Sequence, residues 1–419
     1  MPDLSPVKMT SSTHIVVVGG GQAAAQTIAS LRLHGVDARI TLVGNEDYPP
    51  YQRPPLSKAY LKGEMALERL QLKSAAWYGD NDVTLRLGTT AVAVDCQRRL
   101  VRLDDNDTLA YDKLVLATGS TPRRLPVAGV TLGGVLYLRD IDHVKALREA
   151  AAAGRSVAVV GGGYIGLEAA ASLRQMGLEV TVIEMAERVL ERVTSPMISE
   201  FFEALHKEHG VRVVTDARVA RFEGDANRLT RVVLDDGAKI DADIALIGIG
   251  IEPNDALART GGIECDNGIV VDRDARTSDG DVYAVGDCAH RPLVHYGRSA
   301  RLESVHNAIE QGKLAAASIA GKPRPKEDCP WFWSEQYDLR LQIAGLSEGY
   351  DEVVVRGDPA TKRFAAFYLK NGVLIAVDAV NSPKEFMSAK PLIAAATRCD
   401  AAQLADPLVA LKTLAVKND

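Results

Sequence analysis

Apolar residues along this chain gather in short unbroken runs that end in glycine. His14-Ile-Val-Val-Val opens into Gly19-Gly20-Gly21, and Ser156-Val-Ala-Val-Val opens into Gly161-Gly162-Gly163. A run of about five apolar residues bounded by turn residues marks a strand buried on both faces, as in a parallel sheet. Each glycine cluster leads into a helix-forming stretch and then into another apolar run, which starts at Ala38 after the first cluster and spans Val180-Thr-Val-Ile-Glu184 after the second. Leu114-Val-Leu-Ala-Thr-Gly119, Ala245-Leu-Ile-Gly-Ile-Gly-Ile-Glu-Pro-Asn254 and Asp281-Val-Tyr-Ala-Val-Gly-Asp287 repeat the motif. Alternating strands and helices predict an α/β fold with parallel sheets.

The pattern breaks in two places. Asp47-Tyr-Pro-Pro-Tyr-Gln-Arg-Pro-Pro-Leu-Ser-Lys58 holds four prolines, which predict a stiff irregular loop. From about Lys326 the texture becomes aromatic and alternating: Trp331-Phe-Trp-Ser-Glu-Gln-Tyr337, then Arg363-Phe-Ala-Ala-Phe-Tyr-Leu369 and Val373-Leu-Ile-Ala-Val377 around Asn371-Gly372. The last two runs predict a hairpin and a small antiparallel C-terminal domain. Between Thr121 and about Asp243 lies a nearly complete second unit with its own glycine loop, which reads as an insertion. The expected domains are therefore 1–118 with 247–325, an inserted 119–246, and 326–419.

The glycine clusters have chemical meaning. Gly19-x-Gly21-x-x-Ala24 and Gly161-x-Gly163-x-x-Gly166 each turn a buried strand into a helix, so that a pyrophosphate can approach the helix N-terminus without meeting a Cβ. Two loops imply two dinucleotides. Asn45 or Glu46, at the end of the strand beside the first loop, is placed to accept from a ribose hydroxyl. Glu184 holds the matching place in the second unit, where a carboxylate accepts from an adenosine 2'-hydroxyl and repels a 2'-phosphate. NADH is thus expected over NADPH, with Arg188 and Arg192 close by as the opposing sign. Asp287 is expected to cap a helix or to accept from a polyol hydroxyl.

At 419 residues the chain suits two or three domains, and 47% hydrophobic content supports ordinary packing. No apolar stretch approaches the ~20 residues of a membrane span, and MPDLSPVKMTSST reads as a polar, frayed tail, so the expected location is the cytoplasm. The five cysteines form no C-x-x-C pair, which indicates neither a disulfide framework nor a metal site. A net charge of −6 gives no general attraction to nucleic acid or anionic lipid.

The GGGQAA loop, the prolines before Leu56-Ser57-Lys58, ATG at 117–119, GGGYIGLE at 161–168, GIGIEPN at 248–254, VYAVGDC at 282–288 and PWFWSEQY at 330–337 together resemble the oxygenase-coupled NADH:ferredoxin reductases over essentially the whole chain. The resemblance implies a glutathione-reductase-type fold: two Rossmann-like dinucleotide-binding domains, a discontinuous one for FAD and an inserted one for NADH, plus a small α+β C-terminal domain. It implies that Gly19, Gly21, Ala23 and Ala24 meet the FAD pyrophosphate and that Asn45 lies near the adenosine ribose. Arg53, Lys58, Val92, Thr118, Gly119, Arg139, Asp287 and Val305 would line the flavin site. Gly161, Gly163, Ile165, Gly166 and Glu184 would bind NADH, with Gly248 and Gly250 beside the nicotinamide. Lys58 with Glu168 resembles the family's ion pair at the ring-stacking site, and Trp333 the residue at the electron exit. The implied partner is an acidic [2Fe-2S] ferredoxin serving a haem monooxygenase or Rieske dioxygenase, met by a basic rim drawn from Arg298, Arg301, Lys313 and Lys390. A monomer or weak dimer is expected.

Hydride transfer between nicotinamide and flavin needs no protein acid or base, only alignment and exclusion of water. The eight histidines, His306 included, therefore read as structural. A disulfide reductase of the same fold needs a redox cysteine where this chain has Tyr51 to Lys58 with none. Rubredoxin reductase, or an apoptosis-inducing-factor-like protein that responds to NADH by binding partners, remain as alternatives.

Overall fold

The computed structural model describes residues 13–414; most of the polar N-terminal tail lies outside them. The described chain divides into two compact units. One draws on the chain up to Gln52, on Leu67–Thr121 and on Glu252–Asp328; the other on Arg53–Ala66, Pro122–Ile251 and the chain from Cys329 onward.

The first unit is built on a five-stranded parallel sheet. Its strands, in spatial order, are Val282–Ala284, Lys113–Leu116, His14–Val18, Arg39–Val43 and Val83–Arg86. Ile15 and Val17 face one layer with Ile28, Leu31 and Ile319, while Val16 and Val18 face the other with Val101, Leu103 and Leu116. Burial on both faces is why the run is apolar at every position rather than at alternate ones. Helix Gln22–Leu33 packs against Val305–Ile319. Gly312 makes that approach possible, since a Cβ there would stand 3.0 Å from the Ala23 carbonyl.

The second unit repeats the arrangement with parallel strands Arg212–Val214, Glu179–Ile183, Ser156–Val160, Ile244–Ile247 and Val135–Tyr137. It also holds an antiparallel sheet ordered Trp331–Gln336, Leu339–Gly345, Val373–Val380, Arg363–Lys370 and Glu352–Asp358, on which helix Pro383–Ala394 lies. Asn371 and Gly372, at φ 50° and 74°, form the expected two-residue hairpin turn, whose twist both positive angles supply.

Two local expectations change. The proline segment is not wholly irregular, because Pro54–Ser57 closes one 3-10 turn; proline fixes the φ that such a turn requires. Asp287 caps no helix. It sits in the short turn Gly286–Cys288, and the helix that follows, Val305–Ile319, is capped by Ser304. No helix among the described residues is long and apolar enough to cross a membrane.

One carboxylate is buried where the aromatic sheet meets the segment before helix Pro196–Glu208. Asp378 accepts from Tyr368 Oη at 2.6 Å and from Thr194 Oγ1, and Ser195 Oγ, 3.1 Å from Tyr368 Oη, donates to it. Burial pushes the Asp378 carboxyl up to about 6, although both hydroxyl donors pull the other way. The folded value lies above the unfolded one, so ionisation costs stability, and that cost develops as pH rises from about 4 through 6. The stability of Asp378→Asn relative to wild type should therefore rise by on the order of 2 kcal/mol between pH 4 and pH 7.5. Urea unfolding at the two pH values measures it; a difference independent of pH would show that the carboxyl is not buried as described.

Candidate dinucleotide sites and a buried ion pair

In the first loop Gly19 has φ 121°, and a Cβ there would lie 2.1 Å from the Ala117 carbonyl, so this glycine is dictated by strand-to-strand contact. Gly21, which opens helix Gln22–Leu33, has nothing within 4 Å of a would-be Cβ. That helix start has no side-chain cap and no acidic residue in its first turn, which leaves its N–H groups for an anion. Ala23 packs under the turn at Gly286, where a Cβ would lie 3.0 Å from the Ala23 Cβ, and Ala24 is fully buried. Small residues at 23 and 24 thus serve packing that keeps the helix close to the sheet.

Around this loop Thr118 Oγ1 donates to the Asn254 carbonyl at 2.6 Å, Asn254 Nδ2 donates to the Thr118 carbonyl at 2.8 Å, and Asn254 N donates to Gly119 O. The asparagine of the GIGIEPN motif therefore clamps the ATG turn. Asp287 accepts from Ser120 Oγ at 2.9 Å. Asn45 is exposed, whereas the Glu46 carboxylate accepts from Tyr51 Oη. Val92 is 40% exposed and Val305 half-buried at the first position of its helix.

The second loop has the same division of labour. Gly161 has φ 110° and would place a Cβ 2.4 Å from Gly248 O; Gly166 would place one 2.1 Å from Gly161 O. Gly163 faces open space, and Ile165 is exposed in the first turn of helix Tyr164–Gln175, again without cap or acidic residue. Glu184 accepts from Gly162 N at 2.6 Å and Ala186 N at 2.9 Å, which fixes its carboxylate at the loop. Arg188 is consumed locally by Thr194 O, Ser199 Oγ and Glu191 O. Arg192 is exposed, with a terminal nitrogen 3.8 Å from where a Cβ would stand on Gly250. Open glycines at both helix starts fit two pyrophosphates, and hence FAD and a nicotinamide dinucleotide.

The turn Pro54–Ser57 delivers Lys58 to Glu168 in the second unit. Glu168, 1% exposed, sits on helix Tyr164–Gln175 and receives Lys58 Nζ at 2.5 Å and Ser57 Oγ at 2.6 Å on one oxygen. Ser334 Oγ, at 2.8 Å, serves the other, and Ser172 Oγ holds the Ser57 carbonyl. A buried carboxylate needs such company, because each unmatched lone pair would cost desolvation energy. Ser57 and Ser334 lie inside the LSK and PWFWSEQY motifs, but the sequence gives neither a role of its own. Arg53 donates to the Arg139 carbonyl at 2.7 Å, which brings those two candidates together.

Trp331 and Trp333 share one face of their strand, with Trp331 against Phe386 and the Lys390 ammonium over its ring; Trp333 is half-buried. Of the basic rim, Arg301 is withdrawn. Its side chain is 9% exposed, pairs with Glu303 at 2.8 Å and donates to the Asp287 carbonyl, so its charge is turned toward the protein and already matched. Lys313 stays half-exposed beside Glu310. Burial holds the thiols of Cys96, Cys265, Cys288 and Cys399 above the ordinary range, which suits packing rather than thiolate chemistry.

Two glycine-loop nucleotide folds in one chain, with a lysine–glutamate pair where the proline turn ends, define a pyridine-nucleotide oxidoreductase. The chain belongs to the pyridine nucleotide-disulphide oxidoreductase family, whose model matches residues 13–312, and it carries a reductase C-terminal domain over residues 331–415. It is 42% identical to putidaredoxin reductase of Pseudomonas putida over 97% of both chains, and 40% identical to a rubredoxin–NAD(+) reductase of the same species over 88% of this chain and 96% of that one. The crystal structure of a covalent putidaredoxin reductase–putidaredoxin complex matches with a TM-score of 0.94 at 41% identity, over 97% of this chain and 98% of that one.

The glycines separate by cause. Gly166→Ala should lower the melting temperature by several degrees, as its Cβ meets backbone. Gly163→Ala should melt as wild type, because its methyl meets no protein atom, yet weaken nucleotide binding at least tenfold where that open space holds the pyrophosphate. Calorimetry paired with nucleotide titration checks both; equal melting losses would place Gly163 in the packing instead.

Proposed function

We propose that the chain is an FAD-dependent NADH:ferredoxin reductase that passes electrons to a [2Fe-2S] ferredoxin serving an oxygenase, in the cytoplasm. The observation that carries this reading is the cysteine-free turn at Pro54–Ser57. Where a disulfide reductase needs a thiol, this turn supplies Lys58 to Glu168. With no thiol in that turn and the Cys288 thiol buried and held in its protonated form, the electrons leave to a separate carrier in this reading.

In this reading Gly19, Gly21, Ala23 and Ala24 cradle the FAD pyrophosphate, Asn45 meets its adenosine ribose, and Arg53, Val92, Thr118, Gly119, Arg139, Asp287 and Val305 line the flavin site. Gly161, Gly163, Ile165, Gly166 and Glu184 take NADH, and Gly248 and Gly250 leave room for the nicotinamide. FAD, when bound, supplies the conversion of two-electron uptake into single-electron release. The protein aligns the two rings, excludes water, and holds the Lys58 ammonium where negative charge develops on reduction. Trp333 stands at the exit toward the partner.

Glu184 selects NADH. Glu184→Ala removes about one charge-assisted hydrogen bond, so the NADH Michaelis constant should rise at least tenfold while that for NADPH changes little or falls. Equal responses of the two cofactors would remove Glu184 from the ribose. The reading as a whole is tested by stopped-flow reduction with NADH followed by transfer to a panel of [2Fe-2S] ferredoxins and rubredoxins. Heat release of FAD and rapid transfer to a ferredoxin are expected. Faster transfer to rubredoxin, the reading that the 40% identical relative favours, would change the partner; slow reduction and no transfer would leave an NADH-responsive binding protein.

A further inference from the structure

The second oxygen of Glu168 is the end of a longer chain of buried groups. Ser334 Oγ lies 2.8 Å from Glu168 Oε1, Gln336 Nε2 lies 3.2 Å from Ser334 Oγ, and Gln336 Oε1 lies 2.8 Å from His206 Nε2. His206 Nδ1 is 3.3 Å from Tyr337 Oη. Glu168, Ser334, Gln336 and His206 are each at most 1% exposed. Strand alternation aims Ser334 and Gln336 at the same side, while helices Tyr164–Gln175 and Pro196–Glu208 bring Glu168 and His206 to meet them.

The chain can be read in one direction only. An ionised carboxylate accepts and never donates, so Ser334 donates to Glu168. Ser334 must then receive its second bond from the Gln336 amide nitrogen, which turns the Gln336 oxygen toward His206. His206 therefore carries its proton on Nε2, its Nδ1 is a lone pair, and Tyr337 donates to it. The charge on Glu168 thus dictates the tautomer of a histidine three hydrogen bonds away. Ionisation states agree: burial lowers His206 to about 4, so it is neutral at pH 7, and burial pushes the Tyr337 hydroxyl up to about 12, so it keeps its proton. Tyr337 holds a left-handed φ of 56° in the turn between two strands, an uncommon conformation for a bulky side chain, and its ring stacks on His209 at 3.7 Å.

We propose that Ser334, Gln336 and His206 are positioning residues for the Glu168–Lys58 pair, acting as a relay of hydrogen bonds that all donate toward the carboxylate. The relay fixes the orientation of Glu168, and Glu168 in turn fixes the Lys58 ammonium. Gln336 is an amide and carries no proton onward, so the relay orients and polarises; it does not conduct. The functional part of this inference rests on the role given above to Lys58 beside the flavin.

Two measurements on the FAD-loaded protein test it. In the first, nitrogen NMR of histidine-labelled protein at pH 7, with the His206 signal assigned by its loss in His206→Gln, should show a single neutral Nε2-protonated tautomer. Ser334→Ala should convert that signal to a mixture of tautomers. A charged ring or an Nδ1-protonated tautomer in wild type overturns the relay without any variant. In the second, the midpoint potential of bound flavin should move to more negative values in Ser334→Ala and Gln336→Leu, and flavin reduction by NADH should slow about fivefold at unchanged NADH affinity. Ser334→Thr, which keeps the hydroxyl, should restore both. Lys58→Met is the control for the underlying reading. If it moves the potential while Ser334→Ala does not, the positioning role is overturned. If Lys58→Met leaves the potential unchanged, the role of Lys58 falls, and the relay is decided by the tautomer alone.

Discussion

A carboxylate taken out of water must be surrounded by donors, and in the second unit that requirement binds distant parts of the chain. Glu168 gathers Ser57 and Lys58 from the proline turn and Ser334 from the aromatic strand. Replacing the whole group by well-packed apolar side chains would commonly be neutral for stability or better. The presence of the ion pair here is therefore an argument for placement of charge. The ammonium of Lys58, 15% exposed, is the part of the cluster nearest to solvent, and everything behind it holds it still.

The two glycine loops show how one covalent solution serves two purposes at once. In each, one or two glycines yield to neighbouring backbone and one yields to empty space. The first kind lets the loop take its shape, and the second leaves open the space in front of the helix start. A motif written as three glycines thus contains residues with opposite experimental signatures, one visible in stability and the other in binding.

Much of this was legible in the sequence. Strand runs such as His14–Val18 and Ser156–Val160 are apolar at every position because both faces are buried, and the Asn371-Gly372 turn announces its hairpin through the left-handed angles it demands. What was not legible depended on tertiary direction. Ser57, Ser334, Gln336 and His206 are ordinary residues until folding aligns them, and no spacing rule connects positions more than a hundred residues apart. Arg301 failed as a surface charge for the same reason: composition counts a cation, but only the fold shows that it is turned inward. Asp287 likewise stands before a helix in sequence, yet a separate turn and a strand pair intervene before that helix begins.

The interrupted first unit has a consequence for synthesis. Its central strand His14–Val18 and helix Gln22–Leu33 are made early, but strand Val282–Ala284 and the packing helix Val305–Ile319 come only after the inserted unit. At ~5–20 residues per second, the apolar face of the first helix waits on the order of 15–60 s for its partner. During that interval His14–Val18 already has both its strand neighbours, and the edge left open is that of Lys113–Leu116, which pairs with Val282–Ala284. The second glycine-loop sheet, complete by Ile247, can close in the meantime. The chain can therefore complete its middle sheet before the first one receives its last strand.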